Sequence, residues 1–237
     1  MTEFTSVPDD PAALIAWRRA KPPDLHPGAL HLWRIDADTI DDALVARCER
    51  ILSPVELARG QRLRLAHLRR RFFLSHLASR QILGAYLGCA PEAITFDYSP
   101  TGKPFIKAPA TGLAFNLSTT GDLTLLAARM DEPVGVDAEI VRARVDPLAV
   151  AERMFGAAEH RRLCQLGGEQ QLLAFYTAWT EMEARVKRDG RGLAGHRERD
   201  APDIRVAHAR PRADAICAVA SRDLPPTADW VTCDWWG

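Results

Sequence analysis

The hexapeptide Val134-Gly135-Val136-Asp137-Ala138-Glu139 sets two carboxylates two residues apart in an apolar run. An extended backbone sends alternate side chains to opposite faces. Val134, Val136 and Ala138 then share one face, and Gly135, Asp137 and Glu139 share the other. Like charges this close repel, and a strand interior disfavours Asp. A cation between them removes the conflict. A hard divalent ion such as Mg2+ takes carboxylate oxygens and needs few protein ligands where substrate phosphates supply the rest. An edge strand with a solvated acidic face satisfies the same pattern, and the hexapeptide alone does not separate the two.

Further polar groups fall at suggestive spacings. Glu183 and Lys187 are four apart and so are neighbours on a helix face. Alone they describe a surface ion pair worth a few tenths of a kcal/mol. Lys187, however, is one of only four lysines (Lys21, Lys103, Lys107, Lys187) in a chain whose other cationic side chains are Arg. Glu181 points about half a turn away from that pair. Lys103 follows a glycine turn and precedes Pro104, which fixes a cation on a stiff loop suited to a phosphate; a turn lysine with no role is the plainer account. Asn116 and Ser118 offer amide and hydroxyl donors to an anion, or close a hairpin. Arg69-Arg70-Arg71 reads as the solvated face of a helix, and Trp179 as core.

These groups need rigid elements to hold them. Leu30 to Ile35 alternates as a first strand. Asp41-Asp42 can cap a helix with Leu44, Cys48, Ile51 and Leu52 on one stripe. Ser53-Pro54-Val55-Glu56 is a helix start with a capping serine, proline at the first position and Glu reaching back to the cap. A long helix follows from about His67 to Leu87, ended by Gly88. Ile94 to Tyr98 is a short strand. Leu113 to Leu117 and Leu123 to Ala128 are strands around the polar tip 118–122, which reads as a hairpin loop. Short helices are expected over Pro147 to Met154 and Ala157 to Leu166, and a long one over Gln170 to Lys187, stopped by Gly190-Arg191-Gly192. Three β-like runs, from Ile204, Ala215 and Trp230, close the chain. Residues 1–28 read as a poorly anchored extension with one or two helical turns around Ala12 to Trp17. Residues 29–131 and 132–237 form two α+β halves, with a junction near 131–133.

The 237 residues carry 31 Lys+Arg and 31 Asp+Glu, so no global field recruits nucleic acid or a membrane. No apolar run is long enough to span a bilayer, and no charged n-region precedes a long apolar h-region. The five cysteines are scattered without metal-ligand spacing, as in a protein of the reducing cytoplasm.

Taken in order, Gly102-Lys103-Pro104, Phe115-Asn116-Leu117-Ser118, Gly135-Val136-Asp137-Ala138-Glu139 and Trp179-Thr180-Glu181-Met182-Glu183-Ala184 with Lys187 resemble the motifs of the phosphopantetheinyl transferases. The match is closer to the longer, surfactin-type class and runs from about residue 29 to the end. The resemblance implies transfer of the phosphopantetheine arm of coenzyme A to a serine of an acyl or peptidyl carrier protein, with release of adenosine 3′,5′-bisphosphate. It implies an α+β pseudo-dimer with the active site in the cleft between similar subdomains, usually acting as a monomer. Carried over by position, Asp137, Glu139 and Glu183 are the Mg2+ ligands, with Mn2+ the alternative ion. Glu183 is also the base for the carrier serine, and Lys187 joins it in catalysis. Lys103, Pro104, Ser118 and Lys187 are coenzyme contacts. Arg59 and Arg71 lie in the segment that holds the 3′-phosphate, a role suited to the planar guanidinium fork.

Two positions depart from the pattern. Thr119 stands where the family has a His that contacts the 3′-phosphate. Met182 stands where the family has Lys, which removes one factor favouring a charged Glu183. These departures keep open a non-catalytic relative that binds carrier protein or coenzyme A without transfer. A metal-dependent phosphohydrolase shares the acidic trio.

Overall fold

The computed structural model describes residues 13–19, 21–36, 43–198 and 200–236. Strands β1 (Arg18–Arg19) and β2 (His31–Asp36) precede helices α1 (Ala43–Ile51), α2 (Pro54–Gln61) and α3 (Ala66–Leu87). Two hairpins follow, β3 (Thr95–Tyr98) with β4 (Pro104–Ala108) and β5 (Leu113–Thr120) with β6 (Leu123–Met130). The second half runs β7 (Val134–Ile140), α4 (Pro147–Met154), α5 (Ala157–Cys164), α6 (Gly168–Asp189), β8 (Ile204–Arg212), β9 (Ala215–Arg222) and β10 (Val231–Asp234). The mixture of helices and sheets agrees with the α+β expectation. The Asp41-Asp42 cap and the Leu44 side chain lie outside the described residues.

Local chemistry sets several boundaries. Ser53 caps α2, and Glu56 returns a bond to the Ser53 amide, a complete capping box with Pro54 at the first position. Helices α3 and α6 are both 22 residues long, and each stops at a left-handed glycine, Gly88 at φ 62° and Gly190 at φ 75°. Buried Glu56 also accepts from Arg80 of α3, whose guanidinium reaches the carbonyls of Pro91 and Ile94. That ion pair ties α2 to α3.

Besides the two-stranded β3-β4 sheet, there are two larger ones, a five-stranded sheet in the order β1-β10-β2-β6-β5 and a three-stranded sheet in the order β7-β9-β8. Strand β10 leaves the second half and pairs parallel with β2 of the first. One apolar core lies between the two sheets: Leu32, Leu123 and Leu125 meet Val134, Val136, Ala138 and Val219. The far face of the larger sheet packs on α3 through Trp33, Phe115 and Leu126. The far face of the smaller sheet packs on α6 through Ala184, Ala218 and Ala220. Arg129, 1% exposed, joins the halves by donating to Ser221 Oγ and to the carbonyls of Arg222 and Ala29.

Two expectations need correction. Residues 13–19 are not helical. Trp17 Nε1 donates to the Pro211 carbonyl, and Arg18–Arg19 pair with β10, so this part of the extension is anchored in extended form. The polar tip 118–122 is not a five-residue loop either. Strand β5 runs through Thr120, leaving a two-residue turn at Gly121-Asp122, because Ser118 and Thr120 have bonding partners on β7.

Gly135 has a specific structural job. A Cβ there would lie 2.0 Å from the Ala184 carbonyl oxygen and 2.5 Å from the Arg188 nitrogen of α6. Only glycine lets the helix backbone come this close to the strand. Gly135→Ala is expected to push α6 off β7 and cost about 3 kcal/mol, read as a lower denaturant midpoint. An unchanged midpoint would contradict the close approach.

Candidate active site

Three alternating side chains of β5 reach across to β7. Asn116 Oδ1 accepts from the Val136 amide at 2.9 Å, Ser118 Oγ from Ala138 at 3.1 Å and Thr120 Oγ1 from Ile140 at 3.4 Å. Both strands advance two residues per rung, so they run parallel in fixed register, joined by side chains instead of backbone. Strand β7 pairs with β9 on its other edge, and these rungs satisfy amides that would otherwise be orphaned. Asn116 and Ser118 therefore do not simply close a hairpin; they stitch the two sheets together at the acidic strand.

As the alternation predicts, Asp137 and Glu139 share the face turned from the apolar core. Asp137 is 3% exposed. Its Oδ1 accepts from Ser118 Oγ at 2.8 Å and from Lys187 Nζ at 2.5 Å, and Lys187 also reaches Ser118 Oγ at 3.2 Å. Asp137 Oδ2 is buried and has no hydrogen-bond partner among the described residues. Glu139 is half-buried and accepts from Thr120 through Oε2 at 2.9 Å.

Burial raises the carboxyl pKa of Asp137, against the pull of Lys187 and Ser118. Burial also raises Glu139, and the Asp137 charge raises it further. Glu183 is raised by burial and then by Asp137 and Glu139, while Lys187 opposes. Glu139 thus feels Asp137, and Glu183 feels both, as expected if α6 brings Glu183 over the acidic strand. Among the described residues, no group of three or more His, Cys, Asp and Glu side chains is gathered as a ready metal cage. Lys187 stands against the most buried of the three carboxylates, Asp137. The donor set still fits a hard dication: all oxygen, with an unpartnered buried oxygen at Asp137 and carboxyl groups whose charge is unfavourable without positive company.

The other predicted residues lie away from the acids. Lys103 does not reach the acids: its Nζ donates to the carbonyls of Val134, at 3.1 Å, and Arg188. Burial lowers its pKa to about 8, with Asp189 opposing and Arg188 adding to the fall. Pro104 lines a cleft of about 430 Å³ with Phe105, Leu113, Phe115, Pro133 and Arg188, residues drawn from both halves. At the other end of β5, Thr119 is exposed and shares a hydrogen bond with Thr124. Arg71 lies close enough to help lower the carboxyl pKa of Asp122, which Arg212 dominates through two bonds. Arg59 is exposed in the last turn of α2.

Met182 is 4% exposed and sits in the apolar cluster with Phe155 and Phe175. Glu181 turns away as expected, bonding Arg185 at 2.8 Å. Trp179 is partly buried against the same cluster as Met182. Sequence reasoning missed Thr120 and the reason for Gly135. The signals were present: a polar period of two running on through residue 120, and a glycine inside a strand.

Residues 133–232 match the family model of the 4′-phosphopantetheinyl transferase superfamily. Among similar proteins is the 4′-phosphopantetheinyl transferase HetI of Nostoc sp., 38% identical over 178 residues, covering 73% of this chain and 75% of that protein. A putative 4′-phosphopantetheinyl transferase of Synechocystis sp. is 32% identical, covering 70% of this chain and 68% of its own length. The 4′-phosphopantetheinyl transferase psf-1 of Bacillus pumilus is 31% identical, covering 74% and 76%. The chain belongs to the 4′-phosphopantetheinyl transferase superfamily. No helix among the described residues is long and apolar enough to cross a membrane.

Proposed function

We propose that this protein transfers the phosphopantetheine arm of coenzyme A to a serine hydroxyl of an acyl or peptidyl carrier protein. Adenosine 3′,5′-bisphosphate is the second product, and Mg2+ is the dication, with Mn2+ able to replace it. The observation that carries this reading is the buried, unpartnered oxygen of Asp137, set beside Lys187 and electrostatically coupled to Glu139 and Glu183. We further assign the chain to the surfactin-type class, acting as a cytoplasmic monomer. The halves support a pseudo-dimer: each runs strand, two short helices, a 22-residue helix and then strands.

In the reaction the serine oxygen attacks the β-phosphorus of the coenzyme, and the bond to the adenosine-side phosphate breaks. Asp137, Glu139 and Glu183 would hold the dication. Bound there, it supplies charge neutralisation to the pyrophosphate. Glu183 takes the serine proton; its raised pKa makes it a better acceptor than an ordinary carboxylate. Lys187 balances Asp137 and reaches the pyrophosphate. Of the proposed contacts, Ser118 and Thr119 are on β5 and Pro104 lines a cleft at its start with Leu113 and Phe115; the strand's eight residues span roughly 25 Å at 3.3 Å each, a length suited to an extended nucleotide ligand.

Incubating an apo carrier protein with coenzyme A, Mg2+ and this protein tests the reading. A carrier heavier by one phosphopantetheine arm is expected. Binding without a mass gain would favour the non-catalytic relative, and coenzyme breakdown without carrier would favour a phosphohydrolase. Thr119 adds a second test. It keeps a hydroxyl but lacks the reach and charge of His, so discrimination against dephospho-coenzyme A should be weak. Thr119→His is expected to strengthen it about tenfold, the value of one added charge-assisted hydrogen bond. Unchanged competition kinetics would remove this position from the 3′-phosphate site.

A further inference from the structure

The coenzyme and metal assignments leave no role for Thr120, the last residue of β5. We infer that its hydroxyl is a positioning group for Glu139, the counterpart of Ser118 for Asp137; the inference rests on the metal reading proposed above. The two hydroxyls are placed alike. Ser118 Oγ accepts the amide of Ala138 and donates to Asp137 Oδ1, the carboxylate one residue before that amide. Thr120 Oγ1 accepts the amide of Ile140 and donates to Glu139 Oε2, again one residue before. Each hydroxyl has one proton, and an ionised carboxylate oxygen can only accept, so that proton goes to the acid.

The carboxylates are left in matching states. Asp137 has Oδ1 tied and Oδ2 without a hydrogen bond. Glu139 has Oε2 tied to Thr120, and among the described residues nothing donates to Oε1. Two rungs of one ladder thus present one tied and one free oxygen from each acid. Glu carries one more rotatable bond than Asp and loses more freedom when held, so the Thr120 bond has the larger positioning task. A group that orients a ligand in this way is worth about ten- to a hundredfold in metal affinity.

Thr120→Val keeps the branched shape and removes the hydroxyl, and Thr120→Ser restores it. Mn2+ binding to the metal-free proteins is measured by titration calorimetry, alongside the Mn2+ dependence of the transfer rate. Thr120→Val is expected to bind Mn2+ about tenfold more weakly and to need correspondingly more metal for half its maximal rate, with kcat at saturating metal changed much less. Thr120→Ser is expected to recover most of the affinity. Wild-type affinity in Thr120→Val overturns the positioning role while leaving the metal site standing. A wild-type protein that binds no Mn2+ overturns both. Should Thr120→Val fail to fold, Thr120→Ser and Thr120→Asn decide the matter: a hydroxyl-dependent affinity supports the role, and equal affinity in wild type, Ser and Asn variants refutes it.

Discussion

Asp137→Ala is expected to lower carrier-protein modification by at least about a hundredfold while leaving the metal-free protein as stable as wild type or more so. The two halves of that expectation have one cause. Asp137, Glu139 and Glu183 all have carboxyl pKa values raised in the fold, chiefly by burial. An acid raised in the folded state binds more protons folded than unfolded. Its stabilising effect is present at low pH and is lost as pH rises through the folded pKa. At neutral pH the trio therefore opposes folding of the metal-free chain, and deleting its most buried member relieves that opposition. Lys187, with 28% of its side chain exposed, can turn to water when Asp137 is gone. Glu183→Gln should behave alike in activity. The same protons compete with the dication, so the Mg2+ concentration giving half-maximal rate should fall as pH rises. Near-normal turnover in either variant would contradict the assignment.

Arg80→Met is expected to cost about 3–5 kcal/mol, the largest loss of stability anticipated for a single side chain here. Arg80 and Glu56 are each 3% exposed. Removing the guanidinium leaves a buried carboxylate without its counter-ion and takes a donor from each of the Pro91 and Ile94 carbonyls. In the wild type, burial works against ionised Glu56, but the bonds from Arg80 and Ser53 outweigh it and hold the pKa below the usual carboxylate value. That contribution is present above the unfolded pKa of about 4.5 and is lost as pH falls through the folded one. In the variant only the Ser53 bonds oppose burial, so the folded pKa rises and less stability is lost on acidification. The gap in denaturant midpoint between wild type and variant should be widest at neutral pH and narrow on acidification. Equal midpoints at pH 7 would show that the pair does not hold α2 to α3.

Much of the frame was legible because its signals are local. The Ser53–Glu56 capping box, the glycines that stop α3 and α6, and the alternation of residues 134–139 each depend on a few neighbouring residues. The spacing singled out Asp137 and Glu139 as a pair on one face, and the family resemblance added Glu183. What stayed hidden is non-local. A polar strand end resembles a loop until the strand that it bonds is known, so residues 118–120 were read as a hairpin tip. Lys103 stood out because a stiff turn holds it; that its ammonium also donates to the Val134 and Arg188 carbonyls depends on residues 31 and 85 positions away. Met182 read as a lost lysine, whereas the packing of α6 makes it a core residue. The return of β10 to the first sheet leaves no trace in any short window.

The central claim is that two acids of β7 and one of α6 hold a single dication against the coenzyme pyrophosphate. Anomalous scattering from crystals soaked with Mn2+ and coenzyme A tests it most directly. One peak is expected between Asp137, Glu139 and Glu183, in contact with the pyrophosphate and near Lys187. A coenzyme seated elsewhere, or a peak bound without Glu183, would contradict it.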